Sequence, residues 1–370
     1  MPKSRLNSIR TLSAVLLLAA CAAFGAGCAK IAEPQPPEIR VPKPASDLAA
    51  RQVADSIVLT FAKPSRNTNG SEAKTLATIE VFRLIEDRNG DARKNPLPED
   101  QFVRRASRIR SIAAPGFSGF LQGESFVIQD KPEPPDKSSI YSHAFRYAVL
   151  FINKKNQTAG FSNQAFIGPI AMPPAPVGLS AKVTEKAILL SWDPPSENMD
   201  GSKPPHVTGY DLFRSDDPQK LPGAPLNPGP LVNPEFEDRN FQFDKTYYYT
   251  VRVVGSFEDP TAVSALSGFV QVETRDIFPP APPENVNAIR EGGDIVLLWA
   301  PSASADVAGY RIWRQDKKSG ARVLLQKDPI AALSYRDRQV ESEAQYEYSI
   351  QAVDTHGNES SPVRAEVETR

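Results

Sequence analysis

Side chains suited to proton transfer, nucleophilic attack or metal binding are few in this chain of 370 residues, and they do not fall at working distances. Three histidines, His143, His206 and His356, sit in separate stretches with no paired spacing, and each is expected in a solvated loop. Zinc proteases need two imidazoles one helical turn apart, hydrolase serines need a sharp strand-to-helix elbow, and nucleotide sites need glycines that let backbone amides reach phosphate. None of the patterns H-E-x-x-H, C-x-x-C or G-x-S-x-G occurs, nor does a glycine-rich phosphate loop. The segment EDRNGDA at 86–92 comes nearest to a calcium loop. Counting from Asp87, however, puts Ala92 where such a loop turns on glycine and Pro98 where it needs a bidentate glutamate. Asn89-Gly90 is read instead as a hairpin turn. The residues therefore predict no metal, no cofactor and no catalytic site.

Charge offers little to a polyanion. Lysine and arginine number 43 against 44 aspartates and glutamates, a formal net charge of −1, so no global field favours nucleic acid or an anionic membrane. The local exception is Arg104, Arg105, Arg108 and Arg110. These four are the candidate binding residues, for an acidic glycan, a phospholipid head group or a protein partner. As a strand facing water they need no ligand.

Both cysteines, Cys21 and Cys28, lie in or beside TLSAVLLLAACAAFGAG at 11–27, a run of 17 residues without charge that follows the basic MPKSRLNSIR. A membrane span needs about 20 apolar residues, and this run is shorter and rich in Ala and Gly. It reads as a secretory signal over 1–27. The strings LAAC and GAGC resemble the lipobox of bacterial lipoproteins, in which the cysteine is acylated and becomes N-terminal. Cys28 is the preferred lipidation site, because cleavage there leaves neither an apolar tail nor a stray thiol; Cys21 is the alternative. Alanine follows either cysteine, which resembles lipoproteins sent to an outer membrane. The resemblance implies an exported protein anchored in the cell envelope by lipid, with no disulfide in its body.

The elements that position everything else come in repeats, and repeats decide the fold before any motif does. AILLSWDPP, with Trp192, aligns with DIVLLWAPS, with Trp299; GYDLFR at 209–214 aligns with GYRIWR at 309–314. FED at 236–238 meets YRD at 335–337, YYYTVRVV from Tyr247 meets YEYSIQAV from Tyr346, and VETR at 272–275 meets VETR at 367–370. The offset drifts from 107 to 95 between the anchors, so insertions sit in the connections, as expected of strands joined by loops. A fainter third copy lies upstream in SIVLTFAKP, TIEVFR, VIQD and FRYAVLFI, with Phe61 and Phe145 at the aromatic positions. It is enlarged between Ile79 and Phe145. Tyr346, Tyr348, Ile350 and Ala352 alternate with polar residues, the period of a half-buried strand, and no helical periodicity is found beyond the N-terminus. Three antiparallel two-sheet sandwiches follow.

A strand ending in Trp, Gly-Tyr opening the next and a later Tyr-x-Tyr run resemble the fibronectin type III domain. The resemblance implies that Trp192 and Trp299 are core residues and that Tyr247 and Tyr346 make the corner hydrogen bond to backbone. It also implies that VETR is the last strand of its unit, with Val272 and Val367 inward and the charged pair outward, the chain ending with its last unit. Phe145 cannot make the corner bond. Proline, 35 residues, clusters in EPQPPEIRVPKP, GPIAMPPAP and RDIFPPAPP, which read as semi-rigid spacers. The predicted organisation is a signal at 1–27, a Pro-rich linker at 28–43, a divergent first unit with an insertion at 44–172, and two further units at 173–278 and 279–370, strung as a rod of beads.

Within the first unit the outward positions Ala148, Leu150 and Ile152 are apolar where the second has Thr250 and Arg252. A sheet apolar on both faces must be covered. The insertion is expected to cover it, with a docked partner as the rival. The expected function is non-catalytic: an envelope-anchored scaffold and spacer for protein or glycan partners. Two alternatives stand, an enzyme or enzyme accessory with its site in the insertion, and an adhesin, though not through an Arg-Gly-Asp triplet, which is absent.

Overall fold

The computed structural model describes residues 40–88, 95–133, 139–220 and 223–369; Cys21, Cys28 and the Asn89-Gly90 turn lie outside them. The first unit holds β1 (Ala49–Val53), β2 (Ser56–Ala62), β3 (Leu76–Asp87), helix α1 (Glu99–Arg105), β4 (Ser107–Ala113), β5 (Leu121–Gln122), β6 (Ser125–Asp130), β7 (His143–Asn153) and β8 (Ala165–Ile167). The second holds β9 (Val177–Val183), β10 (Ile188–Asp193), β11 (Gly209–Ser215), β12 (Glu235–Asp238), β13 (Thr246–Ser256), β14 (Ala262–Val263) and β15 (Val270–Glu273). The third holds β16 (Glu284–Glu291), β17 (Asp294–Ala300), β18 (Val307–Asp316), β19 (Arg322–Leu324), β20 (Ser334–Asp337), β21 (Gln345–Asp354) and β22 (Val363–Glu368). In each unit one sheet, ordered β1-β2-β6-β5, β9-β10-β12 or β16-β17-β20, packs on a second, ordered β4-β3-β7-β8, β11-β13-β15 or β19-β18-β21-β22. The chain is all-β, in three tandem sandwiches.

Period-two burial makes these strands. In β10, Ile188, Leu190 and Trp192 point inward while Leu189, Ser191 and Asp193 point outward, and β17 repeats this with Ile295, Leu297 and Trp299. Trp192 and Trp299 are 4% and 5% exposed and meet Tyr210 and Tyr310 edge-on, at 5.3 and 5.5 Å between ring centroids. The glycine before each of those tyrosines is required by a close approach. A Cβ on Gly209 would lie 2.8 Å from the Leu231 oxygen, and one on Gly309 would lie 2.9 Å from that of Ile330. In the first unit Phe61 supplies the aromatic mass, packed on Phe126 and Phe151 at 5.5 and 6.0 Å.

The repeated VETR has a reason beyond its valine. Thr274 Oγ1 lies 2.7 and 2.9 Å from the carbonyls of Gln242 and Lys245 and accepts from the Lys245 amide. Thr369 does the same with Glu341, Ala344 and the Ala344 amide. The Gln242 amide donates to the Tyr247 hydroxyl and the Glu341 amide to that of Tyr346, each at 3.1 Å. Threonine and tyrosine thus satisfy one backbone corner from opposite ends.

Two expectations need correction. The insertion contains a helix, α1, which hydropathy periodicity misses because it is seven residues long with one buried side chain, Phe102. And the first two units are not separate beads. β1 pairs in parallel with β14, Gln52 opposite Ala262, so a single eight-stranded sheet runs from one unit into the next. Gln52, fully buried, locks the intervening segment by donating to the Ile170 carbonyl (2.8 Å) and accepting from its amide (2.9 Å). Met172 in that segment is fully buried too, so this Pro-rich stretch is packed rather than a free spacer.

Candidate functional site

The groups that could do chemistry converge inside each sandwich, at one equivalent place. Arg83, Arg214 and Arg314 each donate to the carboxylate of Asp130, Asp238 or Asp337 at 2.7–2.8 Å. The hydroxyls of Tyr147, Tyr249 and Tyr348 donate to the same carboxylates at 2.7–2.8 Å. The aspartate stands at the end of β6, β12 or β20 in one sheet, and its partners on β3 and β7, β11 and β13, or β18 and β21 in the other. Each triad is therefore a brace across the sandwich. Burial pushes all three phenols well above their ordinary range, reinforced by the neighbouring carboxylate, so they serve as neutral donors and not as bases. In the second and third units the guanidinium also lies 5.0 Å over the ring of Tyr247 or Tyr346. Sequence reading aligned the segments that carry these nine residues, FR or WR, then x-Asp, then the Tyr after the corner position, but did not bring them together.

The four arginines of the basic cluster are divided between a helix and a strand. Arg104 and Arg105 lie in the last turn of α1 and Arg108 and Arg110 on β4, so they are not one strand facing water. The chain turns at Ala106, and each guanidinium is engaged locally. Arg104 pairs with Asp100 at 2.6 Å, Arg108 with Glu80 at 2.5 Å and Arg105 with Glu86 at 3.9 Å, while Arg110 lies 5.6 Å over the ring of Phe120.

The insertion covers part of the apolar outer face of the first unit, at Ala148. Phe102 of α1 is fully buried in a cluster with Leu84 and Ala148, and Phe82, Leu97 and Phe161 close round it. Phe161, in the segment after β7, forms an antiparallel backbone bridge with Leu150, which is half-buried. Beside the cluster the buried pair Arg146 and Glu86, 2.9 Å apart, ties β7 to β3, and Arg146 also donates to the Asn95 carbonyl at the returning end of the insertion. The result is a capped face with its charges paired inside. Elsewhere an open groove of about 720 Å³ lies on the outer face of β9, β10 and β12, lined by Ser180, Lys182, Leu189, Glu235 and Glu237 among others. Glu237 is already held by Arg239 at 2.6 Å.

Two histidines, His206 and His356, lie in a loop and a turn as expected, and one does not. His143 opens β7. His206 Nδ1 lies 2.8 Å from the Ala171 carbonyl at the junction of the first two units. His356 sits at the next junction, with Nε2 3.0 Å from Asp244 and Nδ1 3.2 Å from Asp276. The carboxylates of Asp276, Asp306 and Asp354 come within 4.8 Å of one another there. Asp354 accepts from its own turn and Asp276 from the Phe278 amide.

No protein-family model matches the chain. It is 28% identical over 202 residues to exoglucanase B of Cellulomonas fimi, covering 52% of this chain and 16% of that protein. It is 31% identical over 100 residues to amylopullulanase of Thermoanaerobacterium saccharolyticum, covering 26% of this chain and 8% of that protein. The chain thus spans a small fraction of either relative. Solved structures with which it aligns include the FN1-FN3 domains of chicken CNTN1, at 15% identity over 89% of this chain and 99% of that one with a TM-score of 0.25. A two-domain fibronectin type III segment of chicken tenascin aligns at 16% identity over 52% of this chain and 99% of that one, with a TM-score of 0.35. By the strand order of its own paired sheets, the chain is a tandem of three fibronectin type III-like sandwiches.

Proposed function

We propose that this is a non-catalytic, lipid-anchored protein of the cell envelope that holds binding surfaces at a set distance from a membrane for protein or glycan partners. One observation carries the non-catalytic reading: in every unit the convergent Arg, Asp and Tyr are consumed in a brace between sheets. The packed first junction suits a spacer, since a continuous sheet transmits position better than a flexible linker. The charge-free run ending before Cys28 supports the anchor, and Ala after it supports an outer-membrane destination. Intact mass and N-terminal peptide mapping of the protein from a membrane fraction test it. A diacylated or triacylated N-terminus at Cys28 is expected; a soluble protein still beginning at Met1 overturns the anchor.

A second reading is favoured by the two relatives named as a glucanase and an amylopullulanase: the units accompany polysaccharide-degrading enzymes as accessory modules. Sedimentation with insoluble glucan separates the two, because depletion from the supernatant supports a glucan-directed accessory role and full recovery supports a scaffold for other partners.

A further inference from the structure

We propose that the junction between the second and third units is a pH-dependent hinge, held closed while His356 carries a proton and released when it loses it. The turn after β21 is built to present this side chain. Asp354 Oδ1 accepts from the amides of His356 (2.9 Å) and Asn358 (2.8 Å), and its Oδ2 accepts from Asn358 Nδ2 (2.8 Å), which fixes the turn. The imidazole then projects to the second unit. Nε2 meets the carboxylate of Asp244 in the corner loop before β13, and Nδ1 meets that of Asp276 in the segment joining the units. Asn358 Nδ2 also reaches the Asp276 carbonyl at 3.2 Å, and Phe243 packs against both His356 and Phe278, at 6.3 and 6.1 Å.

A neutral imidazole has one N–H donor and one lone pair, whereas an imidazolium donates from both nitrogens. Here both nitrogens face carboxylates. Nε2 hydrogen-bonds Asp244, while Nδ1 lies 3.2 Å from Asp276 and 3.4 Å from the Thr355 hydroxyl; protonation strengthens the attraction to both carboxylates across the junction, and losing the proton leaves the Nδ1 lone pair beside Asp276. The charged groups facing His356 are all acidic: Asp244 from the corner, Asp276 from the connecting segment and Asp354 from its own turn, with Asp306 behind, its carbonyl accepting from the Thr355 amide. Arg275, next to Asp276, is turned to Glu273 at 3.2 Å.

The hydrogen bond to Asp244 is the largest influence on His356 and raises its pKa above the ordinary histidine value, against a smaller penalty from burial. Because the closed form binds the proton more tightly than the open one, closure is fully present below the ordinary value of 6.5 and is lost as pH rises through the raised one. At the first junction the backbone pairing and Gln52 do not titrate, and the histidine there, His206, meets a carbonyl and not a carboxylate.

Hydrogen exchange of the full-length purified protein, corrected for the intrinsic pH dependence of exchange, tests this at about pH 5.5 and about pH 8.5, on either side of the histidine range. Peptides covering 276–283 and 354–360 should lose protection about five-fold or more at the higher pH, an effect of order 1 kcal/mol by the tenfold-per-1.36 relation, while peptides covering 295–299 do not change. In His356→Ala the junction peptides should be weakly protected at both pH values, the 295–299 peptides showing that the unit remains folded. Equal protection at both pH values in the wild type would overturn the proposal, as would a pH response that survives in His356→Ala. Loss of protection at the lower pH on adding EDTA would also overturn it, by assigning closure to a bound cation.

Discussion

Asp238 and Asp337 are 2% exposed, and each holds an arginine and a tyrosine from the opposite sheet. Removing a partner from a buried charged group costs more than the group contributes, because the remaining charge stays desolvated. Asp238→Ala is accordingly expected to destabilise the second unit by about 3 kcal/mol, and Tyr249→Phe, which removes one hydrogen bond, by about 1 kcal/mol. Urea unfolding followed by Trp192 fluorescence measures both, with the third unit as internal reference. The phenols add a pH signature. Their folded pKa lies above the unfolded value of 10.0, so their stabilisation is complete below pH 10 and declines as pH rises beyond it. An absorbance titration should find Tyr147, Tyr249 and Tyr348 ionising only as the units unfold. By contrast Arg104, 69% exposed in its pair with Asp100, should tolerate replacement by Ala within about 0.5 kcal/mol.

Among the elements, α1 is too short to persist alone, since an isolated helix of fewer than about 12 residues is marginal in water. Docking of Phe102 against Leu84 and Ala148 supplies what its seven residues lack. Phe102→Ala should cost the first unit about 3–4 kcal/mol through lost burial and the cavity left behind, and it should expose the outer face of β7 to a hydrophobic dye. Unchanged dye binding would show that the helix is not the cover. The long β3 and β7 were legible as strands, and the bare outer face of β7 announced that something must lie on it. What covers it was not legible as a helix, because one buried phenylalanine sets no period. The run from Arg104 to Arg110 reads as one strand until the chain turns at Ala106.

For the whole molecule, the question is how much the units move. The first junction is a β-pairing braced by Gln52, and the second rests on side chains around His356. Gln52→Ala leaves the Ile170 amide and carbonyl without their buried partner and should loosen the first junction alone. Hydrogen exchange should then rise in peptides covering 168–176 and 259–264 with no change at 354–360. If both regions respond together, the junctions are coupled and the molecule does not bend at separate points.

The sequence alone determined the three-fold repeat, the paired sheets and the inward faces, because alternation and recurring anchors are local properties carried within a few residues. The places of Trp192, Trp299, Tyr247 and Tyr346 came from the resemblance to the fibronectin type III domain. Tertiary structure alone decided which polar residues meet: Arg83 with Asp130 and Tyr147, Gln52 with Ile170 across 118 positions, and His356 with Asp244 across 112. A hydrogen bond depends on where two distant strands bring their ends to within about 3 Å, and no periodicity along the chain records that distance.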